Sequence, residues 1–285
     1  MIDLHLHTTA SDGRLAPSAL VGLAADAGLQ IIAVTDHDTV AGLNEARTAA
    51  GARGVRLVDG IEVTAVECGR DVHVLGYFFD PASAALASFL ERQRLARIER
   101  VREIGSRLAA LGLHVDVGAL IDAAAAARRS IGRPAIADAL VAAGHAADRH
   151  DAFERWLGGG APAYVERRGP SFGEVVAAIG GAGGIASLAH PGLLGLDQHI
   201  PRFAACGLDA IEARHRDHDA AAEARYRRIA AELDLAVSGG SDFHGELERS
   251  RTGAPARPGS VPLAAADFAA LESRARRGRK VNSGA

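Results

Sequence analysis

The chain has 285 residues, 48% of them hydrophobic and 24% charged, a balance that suits a packed globular core and argues against disorder. Its 32 basic and 35 acidic residues sum to −3, which speaks against a polybasic platform for long nucleic acid. Lys280 is the one lysine, so a Walker A loop, a Schiff-base enzyme and a metal pair bridged by a modified core lysine are all excluded.

In chain order, short apolar runs alternate with helical patterns. Residues 2–6 read as a strand, and 17–28 as a helix with proline at its start and glycine at its end. The β-branched run 31–35 suits a strand buried on both faces, 43–53 a helix, and 55–63 and 72–79 two further strands. From about 82 to 160 the signal is helical. Leu90, Leu95, Ile98, Val101, Ile104, Leu108 and Leu111 recur mostly three or four apart over 89–111, and helices follow at 117–128, 134–143 and 151–157. Strand–helix alternation resumes after Gly169. A helix is expected at 172–179, strands at 184–189, 208–213 and 235–239, a helix at 220–233 and a last one at 263–276. The spacing predicts an α/β fold: a parallel sheet with outer helices, closed as a barrel or left open. Residues 1–81 and 166–285 form this unit, and 82–165 are an inserted helical subdomain.

Cys68 and Cys206 make neither a disulfide framework nor a zinc finger, and read as small buried hydrophobes in a reducing compartment. No apolar run is long enough to span a bilayer, and no basic region precedes a cleavage site. The expectation is a soluble cytoplasmic protein with no membrane partner.

The polar residues gather at strand ends. His5 and His7 are two apart in the first strand and share a face. Asp12 follows in a loop, and Asp36, His37 and Asp38 end the second strand. Glu62 is near the end of the third, His73 lies in the fourth, His190 ends the fifth, Glu212 is in the sixth, and Asp242 and His244 follow the seventh. In a parallel barrel such ends converge on one mouth. Imidazole with carboxylate and no thiolate suits Zn²⁺, Mn²⁺ or Fe²⁺. The number of candidates exceeds what one ion needs, so two or three ions sharing a carboxylate are expected. Asp36 and Asp38 read as supporting or turn residues, and His114, His145, His150 and His199 as ordinary polar residues away from the mouth.

Six segments carry a resemblance. They are His5-Leu6-His7 with Ser11-Asp12-Gly13, Val34-Thr35-Asp36-His37-Asp38-Thr39, Gly60-Ile61-Glu62, His73-Val74-Leu75-Gly76, Ala189-His190-Pro191-Gly192 and Gly239-Gly240-Ser241-Asp242-Phe243-His244. Together they resemble the ordered motifs of the PHP family, named for polymerase and histidinol phosphatase. The resemblance implies a distorted, TIM-like (β/α)₇ barrel with a trinuclear metal centre. It places His5, His7, Glu62 and Asp242 on the first ion, Glu62, His73 and His190 on the second, and Asp12, His37 and His244 on the third. Mn²⁺ is the expected ion, with Zn²⁺ or Fe²⁺ as alternatives. Within the family, Ile131-Gly132-Arg133-Pro134 and Ala163-Tyr164-Val165 resemble the branch of nucleoside 3′,5′-bisphosphate phosphatases and 5′→3′ exoribonucleases. The segment Ile211-Glu212-Ala213-Arg214-His215 departs from that branch.

The implied reaction is attack on phosphorus by a metal-bridging hydroxide held at Glu62, with the ester oxygen leaving on a metal or with a proton. His215 and His218 are the candidate acids, and His218 is also a candidate phosphate contact. Arg133, at a helix start, is expected to grip a second phosphate, with Arg167 as a further contact. The expected partner is a small nucleotide or short oligonucleotide. Histidinol phosphate is the rival substrate, and a metal-stabilised binding module without turnover is the rival of another class.

Overall fold

The computed structural model describes residues 1–127, 129–245, 252–253 and 257–282, with side chains described as far as Arg277. One sheet holds seven strands in sequential order: β1 (Ile2–Asp3), β2 (Ile31–Val34), β3 (Arg56–Glu67), β4 (Arg70–Tyr77), β5 (Ile185–Leu188), β6 (Ala210–His215) and β7 (Ala236–Gly240). Its two ends meet. The Leu4 amide donates to Gly239 at 3.2 Å, and the His7 amide to Phe243 at 3.0 Å, so the sheet curls into a nearly closed barrel. The expected first strand pairs only at Ile2–Asp3 and then at an isolated Leu6–Phe243 bridge.

The sheet departs from the all-parallel expectation at β4, which runs antiparallel to both β3 and β5. The cause is local. Cys68 and Gly69 have φ of 51° and 71°, which fits a two-residue hairpin turn, and no crossover helix separates the strands. Both cysteines are exposed, correcting the buried reading: Cys68 lies in this hairpin turn and Cys206 follows a short helix.

The helices α1 (Pro17–Asp26), α2 (Leu43–Arg53) and, further on, α7 (Phe172–Gly181), α8 (Ile200–Ala205) and α9 (Ala220–Glu232) pack outside the barrel. Leu20, Leu43, Phe172, Ile179, Phe203 and Tyr226 fill that layer with strand residues such as Ile61 and Val63. Between them run α3 (Ala84–Ala110), α4 (Val117–Ala126), α5 (Arg133–Ala142), α6 (Arg149–Ala152) and a π-helical turn at Phe153–Leu157. These carry a core of their own, built on Val101, Ile104, Leu108, Ile121, Ile136, Leu140 and Leu157. The final helix α10 (Ala265–Asn282) presses Phe268 and Leu271 against strand residues Tyr77, Ile185 and Ala236. No helix among the described residues is long and apolar enough to cross a membrane.

Candidate metal centre

Local backbone geometry delivers each polar side chain. His5 and His7 project from the chain after β1, and Gly240 lets β7 approach there: a Cβ on it would lie 2.4 Å from the His5 nitrogen. Asp36 shapes the loop that carries Asp12. Its carboxylate accepts from the Thr8 amide at 2.8 Å and from the Ser11 and Thr8 hydroxyls at 2.7 Å. The β3–β4 register places Glu62 opposite Leu75 and Thr64 opposite His73, so Glu62 and His73 are diagonal neighbours on one face. The antiparallel turn-back therefore puts His73 beside Glu62 although it lies near the start of its strand. His190 and Asp242 sit just past β5 and β7 with φ of 26° and 49°, a left-handed backbone that costs energy in non-glycine residues.

The nine expected ligands come together. Glu62 is the hub: its Oε2 lies 3.4 Å from His5 Nε2, 3.2 Å from His7 Nε2 and 3.1 Å from His37 Nδ1. Its Oε1 lies 3.0 Å from His73 Nδ1 and 3.1 Å from His190 Nε2. Asp242 Oδ1 faces His5 at 3.4 Å and His7 at 3.2 Å. Asp12 faces His244 at 3.4 Å and His37 at 3.8 Å. His37 thus touches both the Glu62–His73 group and the Asp12–His244 group, and His7 also belongs to the latter. His114, His145, His150 and His199 join no such group among the described residues.

A divalent ion suits this cluster because its inner atoms lack other partners. His5 Nε2, both ring nitrogens of His7, His37 Nδ1, Asp12 Oδ1 and Glu62 Oε2 are buried without a hydrogen bond. Orphaned buried polar atoms are costly, and cations would satisfy them together. Burial alone would raise the pKa values of Asp12, Glu62 and Asp242. The facing imidazoles outweigh it and hold all three well below the ordinary carboxylate range, in the ionised form that binds metal. Burial pushes His37 down to about 3, so its imidazole is neutral.

Glu212, which the sequence places among the strand-end polar residues with no ligand role, is fully buried behind the cluster and contacts His5 Nδ1 at 2.9 Å. A β-bulge between Glu212 and Arg214 breaks the period of two, so His215 turns toward the same interior. His215 Nε2 lies 3.4 Å from Asp242 Oδ2, and its Nδ1 accepts from the Asp217 amide at 3.1 Å. His218 has both ring nitrogens engaged with backbone. Nδ1 lies 3.0 Å from the Ala213 carbonyl, and Nε2 accepts from the Gly192 amide at 3.1 Å. Both rings are nearly closed to solvent.

A cavity of about 150 Å³ opens beside His37 and His73, lined by Arg97, Arg100, Arg133 and Arg167. Two carboxylates face these four guanidiniums. Asp38 accepts from Arg97 at 2.6 Å and Arg167 at 2.7 Å, while Asp71 faces Arg133 at 3.4 Å and Arg100 at 3.8 Å. Arg100 Nη2 is buried with no hydrogen-bond partner. With Asp12 also on its wall, the guanidiniums of this cavity still outnumber the carboxylates that face them. Burial and the neighbouring Arg97 pull Arg167 down to about 10. Arg97 and Arg100 escaped sequence reasoning because they belong to the same Arg/Glu run as solvent-facing residues of α3.

A PHP domain profile matches residues 3–109. The chain is 36% identical over 247 residues to a 5′-3′ exoribonuclease of Haemophilus influenzae, spanning 85% of this chain and 89% of that protein. It is also 36% identical over 259 residues to a 3′,5′-nucleoside bisphosphate phosphatase of Chromobacterium violaceum, spanning 88% and 89%. A crystal structure described as a metal-dependent phosphoesterase from Bifidobacterium adolescentis superposes with a TM-score of 0.83 at 36% identity, covering 96% of each chain.

Proposed function

This chain belongs to the PHP family of metal-dependent phosphoesterases, and from that premise we propose that it hydrolyses the 3′-phosphate ester of nucleotides carrying a 5′-phosphate. Nucleoside 3′,5′-bisphosphates and short 5′-phosphorylated RNA both present this bond. The observation that carries the reading is the four-arginine cavity opening beside the histidine–carboxylate cluster. One phosphate reacts at the cluster while the other is gripped in the cavity.

His5, His7, Glu62 and Asp242 would hold one divalent ion, Glu62, His73 and His190 a second, and Asp12, His37 and His244 a third. Mn²⁺ is the proposed metal. Such ions supply charge for the phosphoryl oxygens and acidify a bound water at neutral pH. Arg133 binds the 5′-phosphate together with Arg100, whose buried Nη2 has a free donor position. Arg97 and Arg167 line the same cavity and are fixed by Asp38, so their charge is preorganised. One water is consumed, the phosphorus–O3′ bond breaks, and the 3′ oxygen leaves with a proton. With both nitrogens of His218 tied to backbone, its role is to hold the loop between Ala213 and Gly192 rather than to donate that proton. Residues 82–165 act as a cover over the mouth, since α3 and α5 supply Arg97, Arg100 and Arg133.

The test is product identification by mass after incubating Mn²⁺-loaded protein with adenosine 3′,5′-bisphosphate, a 5′-phosphorylated short RNA and histidinol phosphate. AMP plus phosphate from the first and mononucleotides from the second are expected. Cleavage of histidinol phosphate alone would overturn the nucleotide reading, and no turnover of any would favour a binding module.

A further inference from the structure

Two more cavities lie in series beside the cluster. The first, of about 470 Å³, begins at Asp12 and His37 and reaches Arg129 and Ser130. The second, of about 390 Å³, is lined by the same Arg129 and Ser130 and walled mainly by Val40, Ala41, Ala87, Leu90 and Ala125. Two things set the second apart from an ordinary surface hollow. Its wall is largely apolar, and the rim pair Glu91–Arg94 neutralises itself through two contacts of 2.7 Å. Arg129, between the cavities, is exposed, and no carboxylate of the described residues pairs with it. Moving outward from the cluster, a ligand meets a cation and then an apolar slot, the order in which a nucleotide presents phosphate and base.

We propose that these cavities form a subsite for the nucleotide following the scissile phosphate, with its outer phosphate against Arg129 and its base in the apolar slot. This rests on the reading of the substrate as a nucleotide, and it adds where the nucleotide beyond the cut bond of a short RNA is held. A bisphosphate ends at the reacting phosphorus and leaves the slot empty. An oligonucleotide fills it. The slot has no aromatic wall, so the base is held by apolar contact and without sequence preference.

The test is direct binding to Mn²⁺-loaded protein. The probes are a 5′-phosphorylated triadenylate whose first linkage carries a 3′-methylene in place of the ester oxygen, so that it cannot be cut, and the matching mononucleotide analogue. Ala87 and Ala125 are exposed on α3 and α4, so a tryptophan at either fills the slot without entering the core. Ala125→Trp and Arg129→Ala are each expected to weaken the triadenylate about tenfold, the scale of one base or phosphate contact, and to leave the mononucleotide within about twofold. Equal losses for both probes, no loss for either, or a wild-type protein that binds the trinucleotide no better than the mononucleotide would overturn the subsite. Ala87→Trp serves as the independent variant should Ala125→Trp fail to fold. Failure of the reaction itself is read separately, from hydrolysis of authentic substrates by the wild-type protein.

Discussion

His5 Nδ1 lies 2.9 Å from one carboxylate oxygen of Glu212, and the other oxygen of Glu212 accepts the backbone amide of His190 at 2.7 Å. A single buried carboxylate thereby orients one histidine from the first strand and fixes the strained backbone of another after the fifth. With Nδ1 directed at Glu212, His5 turns its Nε2 toward Glu62 and Asp242.

Replacing Glu212 with glutamine leaves one acceptor oxygen for two donors. Divalent-ion affinity, followed by calorimetric titration, should fall about 10- to 100-fold, while the melting temperature of the metal-free protein changes little. Unaltered affinity would show that Glu212 is a filler of the barrel interior and not an orienting group.

Glu62 and His244 differ in how many partners they touch. Glu62 faces five histidines, whereas His244 faces Asp12 and Asp242. Glu62→Ala should therefore lose more bound metal by elemental analysis than His244→Ala, and both should lose turnover. Equal metal contents in the two variants would contradict the bridging role of Glu62.

Arg133 lines the cavity beside the cluster and also lies over the Phe153 and Tyr164 rings, at 5.5 and 5.8 Å. Arg133→Ala should raise KM for adenosine 3′,5′-bisphosphate at least about tenfold, the worth of one charge-assisted contact, with a far smaller change for a simple phosphomonoester. The same shift on both substrates would remove Arg133 from recognition of the second phosphate.

Asp38 is buried against Arg97 and Arg167. Burial alone would raise its pKa, but the two guanidiniums outweigh it and hold the carboxyl well below the ordinary carboxylate range. A group depressed in this way stabilises the fold above its unfolded pKa and loses that contribution as pH falls toward the folded value. Asp38→Asn leaves two guanidiniums without their anion and should cost about 3–5 kcal/mol in urea unfolding at neutral pH. The deficit relative to wild type should shrink as the pH drops below about 4, where the wild-type carboxylate begins to lose its advantage. A deficit that stays constant down to pH 2 would show that the ion pair is not its source.

The sequence by itself determined the strand–helix order, the nine cluster residues and the exclusion of lysine chemistry. Strands and helices have fixed periods, and an extended His5-Leu6-His7 points two imidazoles one way. Tertiary structure decided what no period encodes. The turn at Cys68–Gly69 reverses β4 and sets His73 diagonally across from Glu62. The bulge after Glu212 carries His215 to the interior, where simple alternation would turn it outward. Arg97 and Arg100 look like their solvated neighbours along α3 until the fold sets Asp38 and Thr64 against Arg97, and Asp71 and the Val165 carbonyl against Arg100. Exposed and buried arginines have the same local sequence signature, because what separates them is the distant surface each one faces.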